Sequence, residues 1–187
     1  MAYQTIEFSR QGRVATISLD RPESLNAFVP ELLQETGQAL ETVAADEGIS
    51  VLVLTGKGRA FSAGVDLKAL KACGLDLSSG DVGPGLNDNA RRVTELLESM
   101  PQATIAKVNG HCFTGGLEIM LACDIILVAE EAKLGDTHAV LGLRPTWGMT
   151  QRLPRRVGLM RARELSFTAR TISGREAAEM GLALEAL

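Results

Sequence analysis

The chain is poor in the residues that mark several functional classes. It holds three cysteines (Cys73, Cys112, Cys123), two histidines, one tryptophan and one tyrosine in 187 residues. An odd cysteine count without a CxxC spacing makes neither a disulfide framework nor a zinc motif, so reduced thiols and a cytoplasmic location are expected. His111 and His138 lie far apart and lack ligand spacing, so no metal site is expected. No apolar run is long enough to span a bilayer, and the opening MAYQTIEFSRQGR has no apolar signal core. A membrane partner is therefore not expected. The net charge is a mild −4, which argues against a nucleic-acid binder acting through bulk charge.

What remains is an ordinary globular composition, 45% hydrophobic and 22% charged. The length suits one domain, taken as 1–187, with a core large enough to need no staples. Tyr3 to Phe8 and Arg13 to Leu19 alternate as two strands joined at Gln11-Gly12. Pro30 opens a helix to about Ala45. Val51 to Leu54 is apolar throughout, the pattern of a strand buried on both faces. Cys73 to Gly85 reads as a glycine- and serine-rich mobile loop. Asn87 to Met100 reads as a helix stopped by Pro101. A strand over Thr104 to Val108, a helix from Gly115 and a strand over Ile125 to Val128 follow. The last third is helical and arginine-rich. Strands that alternate with helices predict an α/β fold.

Two stretches carry chemistry. In Val108-Asn109-Gly110-His111-Cys112-Phe113-Thr114-Gly115-Gly116-Leu117-Glu118, a strand runs into a glycine pair where a helix begins. Free N–H groups at a helix N-terminus form a partial positive pole suited to a developing oxyanion. Glu118 is the only charge between His111 and Asp124, and a carboxylate in an apolar helix is costly unless paired or used. Capping of the first turn is an equally good account on the pattern alone. The second stretch, Leu54 to Leu67, again ends a strand in a glycine-rich loop, with Asp66 placed to cap a helix. Two such corners, facing each other, would supply one N–H each.

With those residues in view, TGKGRAFSAGVDL and KVNGHCFTGGLEIMLACDI resemble the two signature segments of the enoyl-CoA hydratase/isomerase, or crotonase, family. DRPESLNAF and LGLRPTWGMTQRLPRRVG resemble flanking segments, so the likeness spans nearly the whole chain. It implies a superhelix of repeated strand–strand–helix turns, with the usual C-terminal helical portion largely missing. It also implies an acyl-CoA substrate, coenzyme A entering only as part of that substrate, and a homotrimer or dimer of trimers. Carried over by position, Val65 and Gly115 would supply the oxyanion N–H groups. Ala63 would meet the adenine, Asp66, Leu67 and Lys68 would line the pantetheine path, and Glu118 would be one catalytic carboxylate.

The sequence departs from the family where the second carboxylate is expected, because that position holds His138. An imidazole can act there as acid, base or water ligand, since it titrates near neutrality. A ring that merely lines the pocket is the alternative, and Asp136 is a weaker substitute. The expected activity is therefore hydration of an enoyl-CoA through an oxyanion-stabilised enolate. Isomerisation, decarboxylation and non-catalytic acyl-CoA binding are the alternatives. A serine triad of Ser62, His111 and Asp124 fails because Ser62 lacks the nucleophile-elbow context. The cluster Arg152, Arg155, Arg156, Arg161 and Arg163 has no interleaved aromatics for base stacking, so it reads as a solvated or salt-bridged face. Trp147 reads equally well as acyl-pocket wall or core.

Overall fold

The computed structural model describes residues 3–74 and 78–187. The chain opens with β1 (Ile6–Gln11) and β2 (Val14–Leu19), then α1 (Pro30–Ala44). Three strand–strand–helix turns follow. The first is β3 (Val51–Gly56), β4 (Ala60–Ser62) and α2 (Leu67–Ala72). After α3 (Pro84–Ser99) comes the second, β5 (Ala103–Val108), β6 (His111–Phe113) and α4 (Gly115–Leu121). The third is β7 (Ile125–Val128), β8 (Lys133–Gly135) and α5 (His138–Leu141). Helices α6 (Met149–Val157), α7 (Leu159–Thr168) and α8 (Gly174–Glu179), with β9 (Ile172–Ser173) and β10 (Glu185–Ala186), complete the described residues.

Each turn places its first strand in one sheet and its second in another. The larger sheet runs β1-β2-β3-β5-β7-β10, parallel except for the β1–β2 hairpin. The smaller runs β4-β6-β8-β9, with β4, β6 and β8 parallel. Parallel pairing has a direct consequence for function. Ser62 lies beside Cys112 and Phe113 beside Gly135, so the three corners that follow β4, β6 and β8 emerge side by side. Ligands of open parallel sheets meet the chain at just such strand ends.

Several sequence expectations shift. The first strand begins at Ile6, because the backbone N–H groups of Gln4 and Thr5 donate to the Glu35 carboxylate instead of a ladder. β3 is buried on alternate residues, not on both faces: Leu52 and Leu54 face the core, while Val51 and Val53 are half-buried. α3 starts at Pro84, three residues before Asn87, so Pro84 and Gly85 belong to the helix and not to the expected loop. Residues 75–77 of that loop lie outside the described residues. Cys112 sits on β6. The thiols of Cys112 and Cys123 are buried and free, and burial pushes both up from their ordinary values, while Cys73 is free and exposed.

Candidate active site

The first corner is set by hydrogen bonds to the Leu25–Phe28 segment. Phe28 N donates to Gly64 O (2.7 Å) and Asp66 N to Phe28 O (3.0 Å), and Ala63 N donates to Leu25 O (3.0 Å). This parallel bridge uses the residues on either side of Val65 and leaves the Val65 N–H without an acceptor among the described residues. Gly64 has φ +88°, and a β-carbon there would lie 2.9 Å from Phe113 O and 3.0 Å from the Thr114 β-carbon. Only glycine lets this corner lie so close to the next one.

The second corner is strained. Thr114 has φ 51° and ψ −115°, a backbone region that costs a non-glycine residue on the order of 1–3 kcal/mol. Its N–H donates to Gly135 O (3.1 Å) and its hydroxyl pairs with that of Thr137 (2.9 Å), so both its neighbours hold it there. The rotation starts α4 at Gly115, whose N–H, at the helix N-terminus, has no acceptor among the described residues. One turn later Glu118 is buried, 1% exposed. Its Oε1 accepts from Trp147 N (2.9 Å) and Met149 N (3.1 Å). The capping account of Glu118 is thus displaced, since the carboxylate turns away from its own helix toward the segment that opens α6.

The third corner delivers an imidazole. Asp136 Oδ1 accepts from His138 Nδ1 (2.7 Å) and His138 N (3.3 Å), and Asp136 Oδ2 accepts from Ser166 Oγ (2.6 Å). His138 Nε2 lies 3.4 Å from Glu118 Oε2, an ion-pair distance too long for a strong hydrogen bond. Burial alone would pull His138 down. The hydrogen bond with Asp136 and the facing Glu118 carboxylate outweigh it and push the ring up to about 9. Burial would likewise raise Asp136, but its bonds from His138 and Ser166 hold the carboxyl below the usual range.

Val65, Gly115, Glu118 and His138 line one small cavity, with Trp147 and Thr146 beside them. It encloses about 10 Å³, roughly the space of a single water. Ala63, Asp66, Leu67 and Lys68 lie outside it. Asp66 is committed elsewhere: it caps α2 through Ala69 N (3.0 Å) and pairs with Arg21 (3.2 Å). Lys68 is exposed and makes no ion pair among the described residues. Trp147 is both wall and core, 3% exposed and edge-on to Phe28. Of the arginine cluster, Arg152 pairs with Glu98 (2.6 Å) and Arg156 donates to Cys123 O (2.7 Å).

The sequence reading missed Val82, Leu143 and Arg144, which complete the cavity wall. It also missed Asn87, whose Oδ1 accepts from Trp147 Nε1 (2.8 Å) and Thr146 Oγ1 (2.9 Å) while its Nδ2 donates to Asp81 (2.8 Å). A signal existed: Asn87 falls three residues before Ala90, on the buried stripe of α3.

The enoyl-CoA hydratase/isomerase family model matches residues 9–187. The chain belongs to that family. A probable enoyl-CoA hydratase of Rhizobium meliloti is 37% identical over 97% of this chain and 68% of its own length. A probable peroxisomal enoyl-CoA hydratase of Arabidopsis thaliana is 35% identical over 91% of this chain and 61% of its own. The crystal structure of an enoyl-CoA hydratase from Bacillus anthracis superposes with a TM-score of 0.90 at 38% identity, covering 98% of this chain and 70% of that one. The crotonase-type α/β architecture expected from the sequence is therefore the one observed. The chain spans about two-thirds of the length of these curated relatives.

Proposed function

We propose that this crotonase-family chain hydrates an enoyl-CoA thioester. The observation that carries the reading is the cavity, where the backbone N–H groups of Val65 and Gly115, without acceptors among the described residues, share walls with the Glu118–His138 pair. The N–H groups hold the thioester carbonyl oxygen as charge develops on it. Glu118 takes a proton from water as the water oxygen bonds to the β-carbon. The enolate forms against the N–H pair, and the His138 imidazolium gives its proton to the α-carbon. Transfer of the proton from Glu118 to His138 then restores the site, and one water has been added across the double bond. Since Nε2 and Oε2 are 3.4 Å apart, one water fits against both groups.

In this reading Ala63, Leu67 and Lys68 lie along the path of the coenzyme A moiety, which enters as part of the substrate, and no metal or redox cofactor takes part. Asp66 contributes there only by fixing α2. The exposed Val140, Leu141, Met160 and Phe167 give α5 and α7 an apolar outer face, which supports the expected homotrimer or dimer of trimers. Among the described residues no helix is long and apolar enough to cross a membrane. Free buried thiols support a cytoplasmic location. The test is turnover of crotonyl-CoA followed at the thioester chromophore, with Glu118→Gln as control. Hydration by the wild type and not by the variant supports the reading. Binding without turnover by both would make the chain an acyl-CoA binder, and migration of the double bond would make it an isomerase.

A further inference from the structure

The geometry points to Asp136, clamped in turn by Ser166, as a positioning residue that fixes the His138 ring and keeps it doubly protonated, with Nε2–H presented to Glu118. The inference rests on the hydration reading only for what that proton is used for.

Asp136 is 2% exposed, and a buried carboxylate is tolerated only when its oxygens are satisfied. Both are. Ser166, from α7, occupies Oδ2, and the His138 backbone and ring share Oδ1. A carboxylate needed only to brace the start of α5 would be served by the long bond to His138 N (3.3 Å). The shorter contact is to the ring Nδ1 (2.7 Å), the length of a charge-assisted bond. An ionised carboxylate only accepts, so Nδ1 carries a hydrogen and the ring cannot turn over. That leaves Nε2 as the atom facing Glu118 and the cavity.

The charges around the ring explain its protonation. Glu118 faces it from α4 and Asp136 from the corner before α5, so two carboxylates flank one imidazole. Ser166 approaches from α7 without charge of its own. Arg144 lines the same cavity and opposes them, although its guanidinium pairs with Asp81 (3.2 Å). From α6, Arg152 senses the Glu118 charge but is paired with Glu98. The negative groups win, and His138 is held up to about 9. The site thereby obtains an acid at neutral pH from an imidazolium, at the position where the family resemblance leads one to expect a carboxyl group.

The chain contains only two histidines, so ring-proton NMR of His138 is directly readable, with His111→Gln making the assignment. The wild type, Asp136→Asn and Ser166→Ala are titrated, and kcat and KM for crotonyl-CoA are measured across the same pH range. The inference predicts that Asp136→Asn drops the His138 titration from about 9 toward the ordinary value of about 6.5. The alkaline limb of kcat moves with it, and KM changes little. Ser166→Ala moves both in the same direction by less, and it decides the matter if Asp136→Asn does not fold. An unmoved His138 titration in the folded variants, with only the unfolding temperature lowered, would make Asp136 a structural brace and overturn the inference. A shifted titration in a protein that hydrates no enoyl-CoA upholds the positioning role and rejects the hydration reading instead.

Discussion

The two walls of the cavity are built by opposite means. One is backbone: Val65 N and Gly115 N, without acceptors among the described residues, are aimed by Gly64 at φ +88° and Thr114 at φ 51°, the residues just before them. The other is side chain: Glu118, the Asp136–His138 corner and Ser166 come from three places in the chain and hold one another by contacts of 2.6–3.4 Å. The backbone wall depends on local conformation and close approach. The side-chain wall depends on charge. The two walls therefore fail in different ways when altered.

The largest loss is expected on the charged wall. Glu118→Gln removes the group that accepts the proton of water and leaves an amide facing Trp147 N and Met149 N. Turnover of crotonyl-CoA should fall by about 10²–10⁴-fold with binding nearly intact. Wild-type rates in a folded variant would remove Glu118 from the mechanism. Gly115→Val attacks the backbone wall. Its β-carbon would lie 2.4 Å from Trp147 Cζ3, so the indole or the peptide must move. Loss of one oxyanion donor alone costs about 2.7–4 kcal/mol, roughly 10²–10³-fold in kcat. A pH profile unchanged in shape at this reduced rate would show that the walls act separately.

The pH dependence sharpens the contrast, because only the charged wall titrates. With His138 raised to about 9, kcat should fall about tenfold per pH unit above that value as the imidazolium is lost. The same shift is a stability term. The native ring binds its proton more tightly than the unfolded one, so the contribution is complete below about 6.5 and disappears as the pH rises through about 9. Asp136 runs the other way: its lowered carboxyl contributes stability above its ordinary 3.8, which is lost as the pH falls through the lower native value. Thermal unfolding between pH 6.5 and 9.5 should show a decline in the wild type that His138→Gln lacks. Equal slopes in both would contradict the assignment. The smallest effect is expected at the support of the wall. Trp147→Phe removes the bond from Nε1 to Asn87 and should lower stability by about 1 kcal/mol in chemical denaturation.

The same division decides what could be read from the sequence. Gly64 marks its corner because its positive φ demands glycine, and Pro30 and Pro101 mark helix ends for a similarly local reason. Those features were legible along with the α/β order. The second layer was not. Ser166 lies 30 residues from Asp136 and reaches it only because α7 packs over α5. Nothing local distinguishes Ser166 from a surface serine of an arginine-rich helix. Asp66 was legible in part: the expected cap of α2 through Ala69 N is there, while its pairing with Arg21, 45 residues away, had no local signal. The half-burial of β3 was hidden because valine and leucine look alike in sequence, and only the sheet's two faces tell them apart.

The central claim is that two corners of backbone converge on one carbonyl oxygen. A crystal structure of the chain with a non-reactive acyl-CoA analogue tests it most directly. The account predicts the thioester oxygen about 2.7–3.1 Å from both Val65 N and Gly115 N, with the β-carbon facing Glu118 and His138. A carbonyl oxygen lying beyond hydrogen-bond reach of both N–H groups would contradict it, whatever activity the protein shows.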